Sequence, residues 1–509
     1  MLRNSGRGLI ACIIATLLAT TEASALPSVF RNTSPRATKL SAEQVGKELI
    51  PTLSTTAAVY TSGDPRWANA TARWQTWNYP NVQLVIEPGS EADVPKIVKY
   101  ANSYNVPFYT RATGHGSTKT LGKFTGIEIS MTQLRGMTIL PGEKTALLQG
   151  GVFGKEVIQF MWDRGFMTGT GSCGCVSLLG PGLGGGHGRM QGRHGLILDH
   201  FVQLNVVLAD GSTTTVSEKS NPDLFWAMRG AGHNFGIVTS FEHKIFPRDG
   251  DLWYSKIYTF NSTKLEAFHT ALNELAKKQI PEIINWSIYL LDPSVSTTEP
   301  VIHWAFEYIG GDANLAKPYL APFEALKPIN SVEQLLTYPQ IPVAEGTHAE
   351  GSLCEKGDQR MQMNAGLKQY NVTAQRQIFE LYKKNIFYDP AIQGSVIVME
   401  GYSIQGVTAV DPASTAYALR DDDLLCAAII RYHPNPKLDA FAIKWASDTR
   451  NIWNAGQPTR KLTTYTNYGF GDESLESQYG YEPWRLTKLR ALKKKFDPKN
   501  KFSYYNGIN

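Results

Sequence analysis

One stretch restricts what this chain can fold into more than any other: Gly169-Thr-Gly-Ser-Cys173-Gly-Cys175-Val-Ser-Leu-Leu-Gly180-Pro-Gly-Leu-Gly184-Gly-Gly-His187-Gly188-Arg-Met-Gln-Gly192-Arg-His-Gly195. Each glycine in a helix interior costs up to ~1 kcal/mol against alanine, so the run opposes helix. The expectation is extended backbone passing very close to a flat ligand or another chain segment. Gly180, Gly182 and Gly185 also match G-x-G-x-x-G, with Asp199 about 20 residues further on. A Rossmann site is nevertheless rejected, because that fingerprint starts a helix at its third glycine, where this chain continues with Gly186, Gly188 and Gly192. His187, His194 and His200 are irregularly spaced and no acid joins them as a set, so no metal is expected. Ser172 lies outside any G-x-S-x-G elbow, which removes the serine-hydrolase reading.

The 509 residues, 42% hydrophobic and 19% charged, suffice for two ordinary cores. The net charge of +5 is spread without a long basic block, which argues against nucleic acid. Arg3 and Arg7, the apolar run Leu9 to Ala19 and Ala23-Ser24-Ala25 read as a secretory signal over residues 1–25. The run is too short to span a bilayer, so a secreted, membrane-free, monomeric chain is expected. Its N-x-S/T acceptors would be Asn32, Asn69, Asn261, Asn285 and Asn371. Removing the signal leaves Cys173, Cys175, Cys354 and Cys426, and the Cys-Gly-Cys pair points to a chemical role for at least one of them.

Along the chain, a helix is expected around Ser41 to Leu49, a strand at Val82 to Ile86 and a helix from a capping Ser90 to Tyr104. A strand at Val106 to Thr110 ends at Arg111-Ala112-Thr113-Gly114-His115-Gly116-Ser117. Strand, helix, strand and glycine loop form a nucleotide-handling arrangement. Further on, Lys155 to Arg164 reads as helix, Val202 to Leu208 as strand, and Asn221-Pro-Asp as the cap of a helix through Met228. From 248 to 456 the glycines thin out. Strands at Tyr254 to Phe260, Trp286 to Leu291 and Val301 to Tyr308 interleave with helices at Leu265 to Lys278 and Thr373 to Lys384. A helix from Glu482 to Phe496 precedes the end.

Taken together, these segments resemble the berberine-bridge-enzyme-like branch of the vanillyl-alcohol-oxidase flavoproteins. Arg111-Ala-Thr-Gly-His115-Gly is similar to the family's R-S-G-G-H loop, whose histidine is bonded to the flavin. Cys173, eleven residues before Gly184, is placed like the family's second, cysteinyl tether. Trp226-Ala-Met-Arg-Gly-Ala-Gly-His-Asn-Phe-Gly-Ile237-Val238 resembles the strand that runs along the adenosine half of FAD. Tyr465-Thr-Asn467-Tyr468 resembles the Y-x-N-Y element, and Phe496-Asp-Pro-Lys-Asn-Lys-Phe502 the closing D-P-x-N-x-F. The chain departs from the family in having Cys-Gly-Cys for Cys-Pro, and Pro181 where a histidine usually falls. Cys175 is a rival tether, or pairs with Cys354 or Cys426.

The resemblance implies an α+β fold. It consists of a two-subdomain PCMH-type FAD-binding domain over 26–247, a substrate domain with a helix-covered antiparallel sheet over 248–456, and a segment over 457–509 that returns to the first. It implies FAD tethered through His115 and through Cys173, held also by Ser117, Val176, Ser177, Gly180, Gly184, His187 and Gly188. Tyr465, alone or with Tyr468, would be the base, with Arg189, Arg193 or His187 stabilising its phenolate. Val176 stands where a small gatekeeper admits oxygen, so an oxidase producing hydrogen peroxide from a small-molecule substrate is expected. Two substrate classes stay open, a secondary metabolite or an oligosaccharide oxidised at C1, because Trp253, Trp286 and Trp304 could stack either ring. A flavin-loaded wall protein without turnover is the reading from another class.

Overall fold

The computed structural model describes residues 40–248 and 250–509. The expected signal and Asn32 lie outside the described residues.

A four-stranded sheet comes first, in the order Ala58–Tyr60, Asn81–Glu87, Thr125–Ser130, Phe108–Arg111. Its inner strands run parallel, because the helix Asp93–Ser103 carries the chain back between Asn81–Glu87 and Phe108–Arg111. Val94, Ile97, Val98 and Ala101 recur at helical spacing and bury the face that covers the sheet. The helix begins at Asp93, not Ser90, since the Asp93 carboxylate itself receives the N–H groups of Gly89 and Ser90 at 3.1 and 3.0 Å. A five-stranded antiparallel sheet follows, in the order Met137–Ile139, Thr145–Gln149, Ile237–Lys244, Phe201–Val207, Thr213–Ser217.

The third sheet has seven antiparallel strands, ordered Asn330–Leu336, Trp253–Phe260, Val301–Tyr308, Ile283–Leu290, Val396–Glu400, Leu424–Tyr432, Gln359–Leu367. Strand side chains alternate between faces. Tyr289, Ile397, Met399, Ala428 and Ile430 therefore enter one core with Phe268, Leu320, Phe379 and Trp445 of the helices Leu265–Ala276, Ala313–Glu324, Val372–Ile386 and Pro436–Ala455. Their neighbours Ile288, Val396, Val398, Glu400 and Ile429 face the other way, into a cavity between the sheets. Burying one face under helices leaves the opposite face free to build a site.

The glycine-rich segment departs from the extended expectation. It forms single turns of helix at Leu179–Leu183 and Gln191–His194, joined through Gly185 and Gly186 at φ of 131° and 91°. Buried Leu179 and Leu183 anchor the first turn and offset its glycines. Close approach does explain particular positions: a Cβ on Gly188 would lie 1.8 Å from the Thr170 carbonyl oxygen, and one on Gly184 2.4 Å from Asn467 Oδ1.

The chain end returns to the first two sheets. Asp497 accepts Lys493 Nζ at 2.7 Å and the N–H groups of Lys501 and Phe502 at 2.8 Å, which turns the helix Pro483–Phe496 into a strap of residues 501–505 along the cavity. Among the glycosylation acceptors, Asn69, Asn261 and Asn371 are exposed. Asn285 is a correction: it is buried within its strand, donates to the Gly401 carbonyl at 2.5 Å and accepts from Trp304 Nε1 at 3.2 Å.

Candidate active site

The cavity, about 400 Å³, is walled by the loop after Phe108–Arg111, the Cys173 segment, the start of Ile237–Lys244, the strap and the free face of the large sheet. Arg111, Ala112, Thr113, Gly114, His115, Gly116, Cys173, Val176, Ser177, Gly180, His187, Ile237, Val238, Tyr465, Asn467 and Tyr468 all line it. Ser117, Gly184 and Gly188 do not line it. Ser117 is buried behind the loop, and the two glycines pack against Asn467 and Thr170.

Gly114 sits at φ 80° and shapes the loop, while Gly116 lets Tyr505 approach to 3.0 Å of where its Cβ would be. His115 Nδ1 bonds Thr113 Oγ1 at 3.0 Å, and Nε2 is buried without a partner. Burial, reinforced by Lys356 and Arg360, pushes the imidazole pKa down to about 3. A neutral imidazole with an unused nitrogen in a cavity wall fits attachment of an organic group. Trp74 stacks on that ring at 6.1 Å between centroids.

Cys175 is bonded to Cys354, and Cys173 and Cys426 are free. Cys426 is buried in the large sheet and does not line the cavity, which leaves Cys173 as the thiol facing it. Its segment is fixed from several sides. Arg189 donates to the Ser172 carbonyl at 2.9 Å, Gly174 N donates to Thr347 O at 2.9 Å, and Ser172 Oγ meets the Tyr402 hydroxyl at 2.7 Å. Burial pushes the Cys173 thiol up to about 11.

The groups expected to stabilise a Tyr465 phenolate are paired elsewhere or neutral. Arg189 is held by Glu307 and Glu345, Arg193 by Glu282 at 3.4 Å, and burial keeps His187 neutral, with its pKa lowered to about 4. Instead the Tyr465 oxygen accepts two neutral donors, Gly186 N at 3.0 Å and Asn467 Nδ2 at 2.7 Å. Burial outweighs them and pushes the phenol up to about 12. Tyr468 is likewise raised, first by burial and then by Glu400, to which its hydroxyl donates at 2.9 Å.

Glu400, Tyr402, Gln362, Trp74 and Thr347 are cavity residues that sequence reasoning missed. None stands in a motif; they converge only through strand register and the interdomain loops. Of the three tryptophans, Trp286 lines the cavity, whereas Trp253 and Trp304 are wholly buried. Among the described residues no His/Cys/Asp/Glu group could hold a metal, and no helix is long and apolar enough to cross a membrane.

The glycine loop, the partnerless imidazole and the long cavity between sheets define an FAD-binding flavoprotein. The FAD binding domain family matches residues 82–217. The FAD-linked oxidoreductase anuG of Penicillium roqueforti is 48% identical over 472 residues, covering 92% of both chains. The FAD-linked oxidoreductase OXR2 of Pyricularia oryzae is 43% identical, covering 95% of both. In fold, the chain is similar to the Physcomitrella patens BBE-like 1 protein, with a TM-score of 0.78 at 20% identity over 89% of this chain and 97% of that one. It is also similar to the Acremonium strictum glucooligosaccharide oxidase, with a TM-score of 0.76 at 21% identity over 89% and 96%. The chain belongs to the FAD-linked oxidoreductases, and its cofactor is FAD.

Proposed function

We propose that this protein is a secreted oxidase that withdraws hydride from a small, mainly apolar secondary metabolite and passes the electrons to oxygen, giving hydrogen peroxide. The observation that carries this reading is the strand Val396–Glu400, which presents Val396, Val398 and the Glu400 carboxylate side by side to the cavity. Ile288 and Ile429 extend the aliphatic wall. Such a wall receives an aromatic or alkyl body, whereas a sugar needs a partner for each buried hydroxyl.

FAD bound here supplies the hydride acceptor. The chain supplies placement and proton handling. Burial raises the Glu400 carboxyl above its ordinary range, while hydrogen bonds from Tyr402 and Tyr468 pull it back down. A base works best with a pKa near the working pH, and this carboxylate meets that condition better than a phenol at about 12. Glu400 therefore takes the proton of the substrate hydroxyl, with Tyr468 as its hydrogen-bonded neighbour. Tyr465 keeps its own proton and, backed by Gly186 N–H and Asn467, orients the substrate oxygen. This replaces Tyr465 by Glu400 as the principal base.

The neutral imidazole of His115 and the unpaired thiol of Cys173 suit the two flavin attachments. The Acremonium strictum glucooligosaccharide oxidase carries a 6-S-cysteinyl, 8α-N1-histidyl FAD, the same two residue types. Val176 at the cavity wall supports oxygen access. The Cys175–Cys354 disulfide supports maturation in an oxidising compartment, with glycans at Asn69, Asn261 and Asn371.

The test is anaerobic stopped-flow reduction with a panel of phenolic and alkyl-aromatic alcohols beside oligosaccharides. Glu400→Gln should slow reduction by about a hundredfold or more while flavin absorbance is retained. Fast reduction of that variant, turnover confined to oligosaccharides, or no peroxide on admitting air would overturn the reading.

A further inference from the structure

Behind Glu400 lies a further small cavity of about 10 Å³, lined by Gln191, Tyr417, Asp422, Asp423 and Leu425. Glu400, Tyr402, Tyr465 and His187 line it as well as the main cavity, so they form the partition between the two. The space is about that of one water molecule, and polar groups surround it, which is what a buried water requires. On its far side Asp422 is buried, accepts Thr463 Oγ1 at 3.2 Å and pairs with Arg460. Gly366 keeps that position open, since a Cβ there would lie 2.0 Å from Asp422 Oδ2. Arg460 also reaches Asp421 at 3.1 Å, a side chain 71% exposed, so the pair ends at solvent.

We propose that Asp422 and a water in this cavity form the proton exit of the enzyme, connecting Glu400 to solvent on the side away from the substrate. The inference rests on Glu400 as the base. In the step, the substrate O–H bond breaks and a Glu400 O–H bond forms, while the hydride and its electron pair leave the neighbouring carbon for the flavin ring. The Glu400 proton then passes to the water, which gives one of its own to Asp422, and Asp422 releases it beside Asp421. One proton leaves in each reductive half-reaction, one is taken up again from solvent when oxygen is reduced to hydrogen peroxide, and both acids return to their starting state.

The surrounding groups suit this traffic. Burial raises Asp422 to about 6 against the pull of Arg460, and Glu400 is raised by burial too, so the transfer is not steeply uphill. His187 and Tyr465, on the partition, hold their neutral forms at neutral pH. Tyr417 is raised by burial and stays protonated, and Asp423 is held by Lys368 at 2.9 Å. Cys426, in the core of the large sheet, is raised first by burial and then by the charges of Glu400 and Asp422, so it stays a thiol.

Asp422→Asn tests this. Expected are a roughly tenfold slower reductive half-reaction, loss of the ionisation near 6 from its pH profile, and recovery on adding formate as a small proton carrier. Asp422→Glu should restore most of the rate. On the resting protein, infrared titration should show a carboxyl band that changes near pH 6 and is missing in Asp422→Asn, independently of turnover. Should Asp422→Asn not accumulate as folded holoenzyme, Leu425→Phe, which adds bulk in the cavity and leaves every acid in place, should slow reduction similarly. If Glu400→Gln is slow but both variants keep the parent rate and pH profile, the exit is elsewhere and the base assignment stands. If Glu400→Gln reduces fast, the base assignment fails first.

Discussion

At Arg189 one buried guanidinium serves three acceptors: the Ser172 carbonyl and the buried carboxylates of Glu307 and Glu345. Burial raises Glu307, which fits two carboxyls sharing one cation. Arg189→Met would leave that pair without its cation, at a cost of about 3–5 kcal/mol, read from urea unfolding. It should also lower the fraction of flavin bonded to Cys173, read by mass spectrometry of the flavin peptide, because Ser172 loses its anchor. Unchanged stability and unchanged attachment would show that the guanidinium holds nothing. The residue scale also marks the limit of motif reading. His115 was legible because its glycine neighbours carry a pattern, while Glu400 is one carboxylate in an ordinary strand and becomes a site only through what folds opposite it. Asn285 shows the converse: its sequon is complete, but the amide is committed to Gly401 and Trp304.

Successive residues of Val396–Glu400 separate two tasks along one backbone. Met399 is fully buried under the helices, and Val398 faces the cavity. Met399→Ala should therefore cost about 2–5 kcal/mol of stability. Val398→Ala should raise KM for an apolar substrate with little change in thermal midpoint. Equal effects of the two on stability would contradict the assigned register. Most strands and long helices of the large sheet were legible in outline, since period-two and helical patterns are local. Strand order was not, because it is set by contacts between Ile283–Leu290 and Val396–Glu400 across more than a hundred residues of chain. The glycine-rich segment was misread because propensity ignores burial, and two leucines sufficed to hold a turn.

Across the whole molecule, His200 and His269 are buried and neutral, with burial lowering their pKa values to about 4 and 3 from 6.5. Below pH 6.5 the unfolded chain takes up protons that the folded one refuses, so unfolding gains free energy as pH falls. Stability from these groups is complete above about 6.5 and declines towards 4, and thermal midpoints measured from pH 8 to pH 4 should fall through that window. A flat profile would mean that these rings accept protons in the fold. The change from a glycine-rich to a glycine-poor half of the chain was legible, whereas the cavity was not, because residues of both halves line it. The alternation of the large sheet has a consequence for descent. Ile288, Val396, Val398 and Ile429 can mutate without disturbing the helices behind them, so a lineage can try new molecules while inheriting an unchanged scaffold and cofactor.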